Sequence, residues 1–151
     1  MQYEEVKLKR VFVLRLEQGE VVHKTIEDFA KEKGIKSGVL LMLGGIDHGS
    51  RLVVGPEDGS KRPVVPMYQA IDNVREVCGV GTIFLDDEDN PLLHMHISTG
   101  REDSTITGCI RSGVITWQIL EVVLFELECR DARRRLDPEL GFKLLQITGL
   151  T

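Results

Sequence analysis

Apolar and charged residues alternate in part along "VKLKRVFVLRLE" (6–17), which suits a half-buried strand. The period then changes. Val22, Ile26, Phe29 and Ala30 recur at helical intervals through "EVVHKTIEDFAKEKGI" (20–35), and Gly34 supplies a C′ glycine, so the spacing predicts an amphipathic helix ending there. "SGVLLMLGGI" (37–46) is continuously apolar and is expected as a strand covered on both faces. A further strand is expected around Arg51 to Val54, followed by an irregular loop punctuated by glycine and proline. "REVCGVGTIFLDDEDNPLLHMHIS" (75–98) divides into two strands about the acidic turn "DDEDNP". "STITGCI" (104–110), "VITWQILEVVLFELE" (114–128) and "GFKLLQI" (141–147) are all strand-like, and no second convincing helix follows. The pattern predicts an α+β fold: a mainly antiparallel β-sheet packed against one main helix, as a single compact domain over 1–151.

Length and charge narrow the partners. At 151 residues and 42% hydrophobic, the chain is sized for one core. A net charge of −5 opposes a surface field that attracts phosphate backbones. The basic cluster "CRDARRRLD" (129–137) mixes aspartates with its arginines and reads as a solvated turn. No apolar run reaches the roughly 20 residues of a membrane span, and the N-terminus has no signal-peptide pattern, which points to the cytoplasm. Cys78, Cys109 and Cys129 are odd in number and form no CxxC, so disulfides are not expected.

The chemistry concentrates in "HMHISTGREDSTITGC" (94–109). On a strand, His94, His96 and Ser98 share one face while Leu93, Met95 and Ile97 share the other. With "GRED" (100–103) as a hairpin loop, the symmetric register pairs His94 with Cys109 and His96 with Thr107. The second strand agrees, since Thr105, Thr107 and Cys109 alternate with Ile106, Gly108 and Ile110. Opposed Cβ atoms lie roughly 4.5–5.5 Å apart, within reach of an ion bound at about 2.0–2.3 Å. Two imidazoles and a thiolate favour zinc over other divalent transition metals and leave a position for water or a ligand. The competing reading is a plain polar hairpin.

Other candidates are weaker in pattern. Glu121 falls among Trp117, Ile119, Val123, Phe125 and Leu127 if 114–128 is a strand, and a carboxylate on an apolar face needs a partner. It would orient a ligand histidine, act as a catalytic base, or pair with Arg75 or Arg111. Arg51, Arg101 and Arg111 are candidates to hold an anionic ligand. His23 belongs on the helix surface and His48 in a loop. "GVG" (79–81) and "GG" (44–45) lack the spacing of a phosphate loop.

The order "RVFVLRLEQGE", helix, "SGVLLMLGGI", "GVGTIFL", "LHMHIS", "TGCI" and "TWQILEVVLFELE" resembles the PPC (plant and prokaryote conserved) domain over about residues 8–147. The resemblance implies a sheet against a long helix and assembly as a homotrimer. It also implies metal ligands at His94 and His96, with Cys109 at a third position that is commonly histidine in prokaryotic members. Plant members carry an upstream AT-hook that enters the minor groove, and nothing like it occurs here. Their Gly-Arg-Phe-Glu-Ile signature aligns with Asn73, Val74, Arg75, Glu76 and Val77, matching at little more than Glu76 and the aliphatic after it.

Three functions follow as expectations. The first is a small homotrimeric zinc-binding domain. The second is a DNA-associated or regulatory interaction module, against which the acidic balance weighs. The third is a zinc-dependent hydrolase or lyase acting on a small anionic metabolite.

Overall fold

A computed structural model describes residues 1–148. Its elements are β1 (Lys7–Glu17), α1 (Val22–Lys33), β2 (Ser37–Ile46), β3 (Arg51–Pro56), β4 (Pro66–Ala70), β5 (Arg75–Leu85), β6 (Pro91–Arg101), β7 (Ser104–Cys109), a 3₁₀ turn (Ile110–Ser112), β8 (Thr116–Glu128), β9 (Ala132–Asp137) and β10 (Phe142–Ile147). The first eight strands form one antiparallel sheet in the order β1-β8-β2-β5-β6-β7-β3-β4, and β9 and β10 form a separate two-stranded arm. This is the expected α+β fold in a single domain, with α1 covering one face of the sheet.

The period-two patterns explain that inner face. Phe12, Leu14 and Leu16 of β1, Leu40 and Met42 of β2, Leu93, Met95 and Ile97 of β6, and Leu120, Val122 and Leu124 of β8 meet Val22, Ile26 and Ala30 of α1 in one core. Each fully buried side chain of this kind is worth roughly 1.5–3 kcal/mol. α1 ends as expected at Gly34, whose φ of 64° is left-handed and whose N–H reaches back to Lys31 O.

The opposite face departs from expectation. Leu41 and Leu43 are 48% and 56% exposed, so β2 is covered on one face and not on both. Val13, Leu41, Val80 and His96 lie in one cross-strand row, since Val13 opposes Val123, Val123 opposes Leu41, Leu41 opposes Val80 and Val80 opposes His96. A largely apolar outer face therefore runs without interruption toward the histidines.

β8 also differs. Trp117, Ile119, Val123, Phe125 and Leu127 sit half-buried on its outer side, and the even residues form the core. The buried carboxylate of β8 is Glu126, which pairs with Lys9 at 3.2 Å and with Arg10. Two further strands were not expected: β4, inside the loop after β3, and β9, which occupies the arginine-rich segment read as a solvated turn.

"GVG" has a packing role. A Cβ on Gly79 would stand 2.6 Å from Ile97 Cγ2, and one on Gly81 would stand 2.7 Å from Met95 Cβ. The two glycines let β6 seat Met95 and Ile97 in the core, which turns His94 and His96 to the outer face.

Candidate metal centre

The site forms where a strand runs out. β7 pairs with β6 only as far as Cys109 opposite His96, after which the chain enters the 3₁₀ turn. The first half of β6 is left with an unpaired edge, and its polar groups are met by side chains instead. Leu93 N–H donates to Glu27 Oε1 of α1 at 2.8 Å, and Leu92 O accepts from Arg134 Nε of β9 at 3.1 Å. The β9–β10 arm lies beside this edge and borders a half-open cavity of about 660 Å³. His94, Cys109, Arg111, Arg134 and Lys143 line it with apolar walls from Val53, Tyr68, Phe142 and Leu145.

His94, His96 and Cys109 converge here. Their ligand atoms all lie within 4.8 Å of one another, and the two Nε2 atoms are 3.1 Å apart. The register differs by two from the symmetric expectation. The hairpin is tighter, with Arg101 opposite Ser104, so Cys109 faces His96, and Thr107 faces Ser98. Glu102 takes a left-handed φ (53°) in the turn, and Gly100, expected in the loop, stays in the strand opposite Thr105. A slip of two residues preserves the face on which every side chain lies. The triad therefore survives the corrected register.

The donor set fits a transition metal. Two Zn–N bonds of roughly 2.0–2.1 Å at a tetrahedral angle hold their nitrogens about 3.3–3.4 Å apart, close to the 3.1 Å found. His94 is pushed down to about 4, first by desolvation and then by the charges of Arg134, His96 and Arg111. Its imidazole is neutral near pH 7, with a lone pair to give. Cys109 is 9% exposed and unpaired with another cysteine.

The remaining candidates separate. Arg111 lies two residues after Cys109, in the 3₁₀ turn, and lines the cavity. Arg51 lies over the Tyr68 ring at 5.0 Å, one side chain removed from the cavity. Arg101 sits at the far end of β6, donating to Val74 O at 3.1 Å, about 17 Å along the strand from His96. Glu121 is exposed on the outer face, opposite Arg15 and Leu43. Since β2 and β5 intervene between β8 and β6, it stands about 14 Å from the histidines and is no base for this site within one chain. It pairs with neither Arg75, which reaches Ser104, nor Arg111. His48 pairs with Asp47 in its loop, and His23 is half-buried on α1.

Arg134 was missed. Its neighbours Arg133 and Arg135 turn outward to Asp89 and Asp87, and Arg134 turns inward to 3% exposure. The period of two within "ARRRLD" was the available signal, hidden by uniform charge.

Comparison with known proteins adds a family and a fold. The sequence matches the Plants and Prokaryotes Conserved (PCC) domain over residues 3–128. Among solved structures, a metal-containing protein from Archaeoglobus fulgidus is similar at 23% identity and a TM-score of 0.82, covering 97% of this chain and 99% of that one. A plant- and prokaryote-conserved (PPC) protein from Pyrococcus horikoshii is similar at 20% identity and a TM-score of 0.79, covering 97% and 100%. A candidate DNA-binding protein from Bacteroides thetaiotaomicron is similar at 22% identity and a TM-score of 0.74, covering 94% and 97%. At these identities the likeness shows the fold. No curated protein matches the chain.

Proposed function

The chain belongs to the Plants and Prokaryotes Conserved (PCC) domain family, and from that premise we propose that it is a metal-binding protein whose His94, His96 and Cys109 hold one divalent transition metal, zinc by ligand preference. The observation that carries this reading is the convergence of three donor atoms within 4.8 Å from two strands whose register is fixed by the core on the other side. The metal-containing description of the Archaeoglobus fulgidus neighbour supports it. Bound there, such an ion supplies Lewis acidity at its open position. The chain's own residues hold it with a neutral His94 and present it to the cavity beside Arg111.

The proposed assembly is a homotrimer. Its support is the outer face, where Val13 (80% exposed), Leu41, Leu43 and Val80 make an apolar stripe that a second copy of the chain would cover. The proposed compartment is the cytoplasm, which suits three free thiols. No helix among the described residues is long and apolar enough to cross a membrane.

Direct duplex binding is no part of the proposal. The net charge is −5, and Arg133 and Arg135 are engaged by Asp89 and Asp87. The test is metal content of the purified protein beside the His96→Ala and Cys109→Ser variants. Near-stoichiometric zinc that both variants lose is expected, and equal zinc in all three samples would refute the assignment.

A further inference from the structure

The structure compensates its buried charges with one exception. Asp86, Glu126 and Arg134 are the buried charged residues among those described. Asp86 is met by Lys143 at 2.8 Å, and Glu126 by Lys9 and Arg10. No carboxylate among the described residues lies within ion-pair distance of Arg134, since the acids of the turn after β5 are taken by Arg133, Arg135 and Lys143. An unpaired buried cation is costly, and such a charge normally has a partner.

Its hydrogen bonds show where that partner belongs. Nε donates to Leu92 O at 3.1 Å, and Nη2 donates to Thr82 O at 3.1 Å and to Thr82 Oγ1 at 2.8 Å. These bonds fix the guanidinium plane. Nη1 has no partner among the described residues and is not sealed off from the cavity that Arg134 lines. Arg111 lines the same cavity, also without a carboxylate partner among the described residues. These two cations line it together with His94, Cys109 and Lys143, which Asp86 already pairs, and Val53, Tyr68, Phe142 and Leu145 are among its apolar walls.

We propose that this cavity binds a small organic carboxylate, its acid group held by Arg134 Nη1 and Arg111 and its apolar body resting on the β3–β4 and β10 walls. A carboxylate accepts a charge-assisted hydrogen bond from the one free nitrogen, Nη1, of a guanidinium fixed by its other bonds, and about 660 Å³ with a few convergent polar groups suits a small-molecule site. The depressed Arg134, pushed down to about 10 by desolvation and then by Arg111, is relieved by an anion between the two. The proposal deepens the metal reading, because the acid group lies beside the donors, but it stands on the guanidinium and not on the ion.

The test is calorimetric titration of the whole protein, as purified and after chelation, with benzoate, neutral benzamide and inorganic phosphate. Saturable benzoate binding that persists after chelation is expected, with benzamide and phosphate weaker by roughly tenfold or more. Arg134→Gln is expected to lose a similar factor. Because Arg134 also ties the arm to β6, Arg111→Gln, at an exposed position, is the second variant and is expected to weaken benzoate without lowering the melting temperature. Absent benzoate binding, equal affinity for benzamide, tighter binding of phosphate, or an affinity indifferent to Arg111→Gln would each overturn the proposal. Benzoate binding to a protein without zinc would sink the metal reading alone, and zinc without benzoate binding would sink this one alone.

Discussion

Gly79→Ala tests whether β5 sets the position of the histidine strand. The added Cβ would lie 2.6 Å from Ile97 Cγ2, 3.0 Å from His96 O and 3.4 Å from Ile97 Cβ. The first distance is impossible without movement, and neither neighbour is the free end of a flexible chain. Overpacking of this kind costs about 1–3 kcal/mol, which for a domain of this size lowers the melting temperature by about 2–4 °C per kcal/mol. Ile97→Ala alone opens a cavity and costs about 2–5 kcal/mol. In the double variant the Cγ2 clash is gone and the void is partly filled, so the two costs should fall short of additivity by at least about 0.5 kcal/mol. Urea unfolding of the four proteins, with chelator present to remove any stabilisation by bound metal, measures the coupling. Costs that add within about 0.3 kcal/mol would refute the packing argument.

Other outcomes follow from the same contacts. Arg10, above all, holds the Glu126 carboxyl below its ordinary value of 4.5, so Glu126 contributes stability that is present above pH 4.5 and lost as pH falls through its lower folded value. Glu126→Gln should flatten that part of the pH–stability curve, and a wild-type curve of the same slope would contradict the pairing. Leu43→Glu, on the exposed outer face, should reduce the mass seen by light scattering from three chains to one with little change in the fold of each. A wild-type protein that is already a single chain would remove the trimer.

Much of this was legible because two periodicities agree. Leu93, Met95 and Ile97 must face the core, so His94 and His96 must face away, whatever the hairpin register. The register itself differs by two because only Glu102 and Asp103 form the turn, Glu102 bearing a positive φ, where the four residues of "GRED" are expected as the loop. The exposed Leu41 and Leu43 were unreadable for a different reason: a continuous apolar run signals burial without saying whose surface does the burying. Arg134 was hidden in a run of like charges, where only the β10 pairing and the unpaired edge of β6 decide which arginine turns inward. Glu121 shows the limit of a face argument, because its strand alternates as expected but lies across β2 and β5 from the histidines.

The most direct measurement is zinc per chain, by elemental analysis of untagged protein, in the wild type and in the His94→Ala, His96→Ala and Cys109→Ser variants. One ion per chain that falls toward zero in all three is expected from donors within 4.8 Å. A wild type that takes up no metal when zinc is offered would make this stretch a polar hairpin.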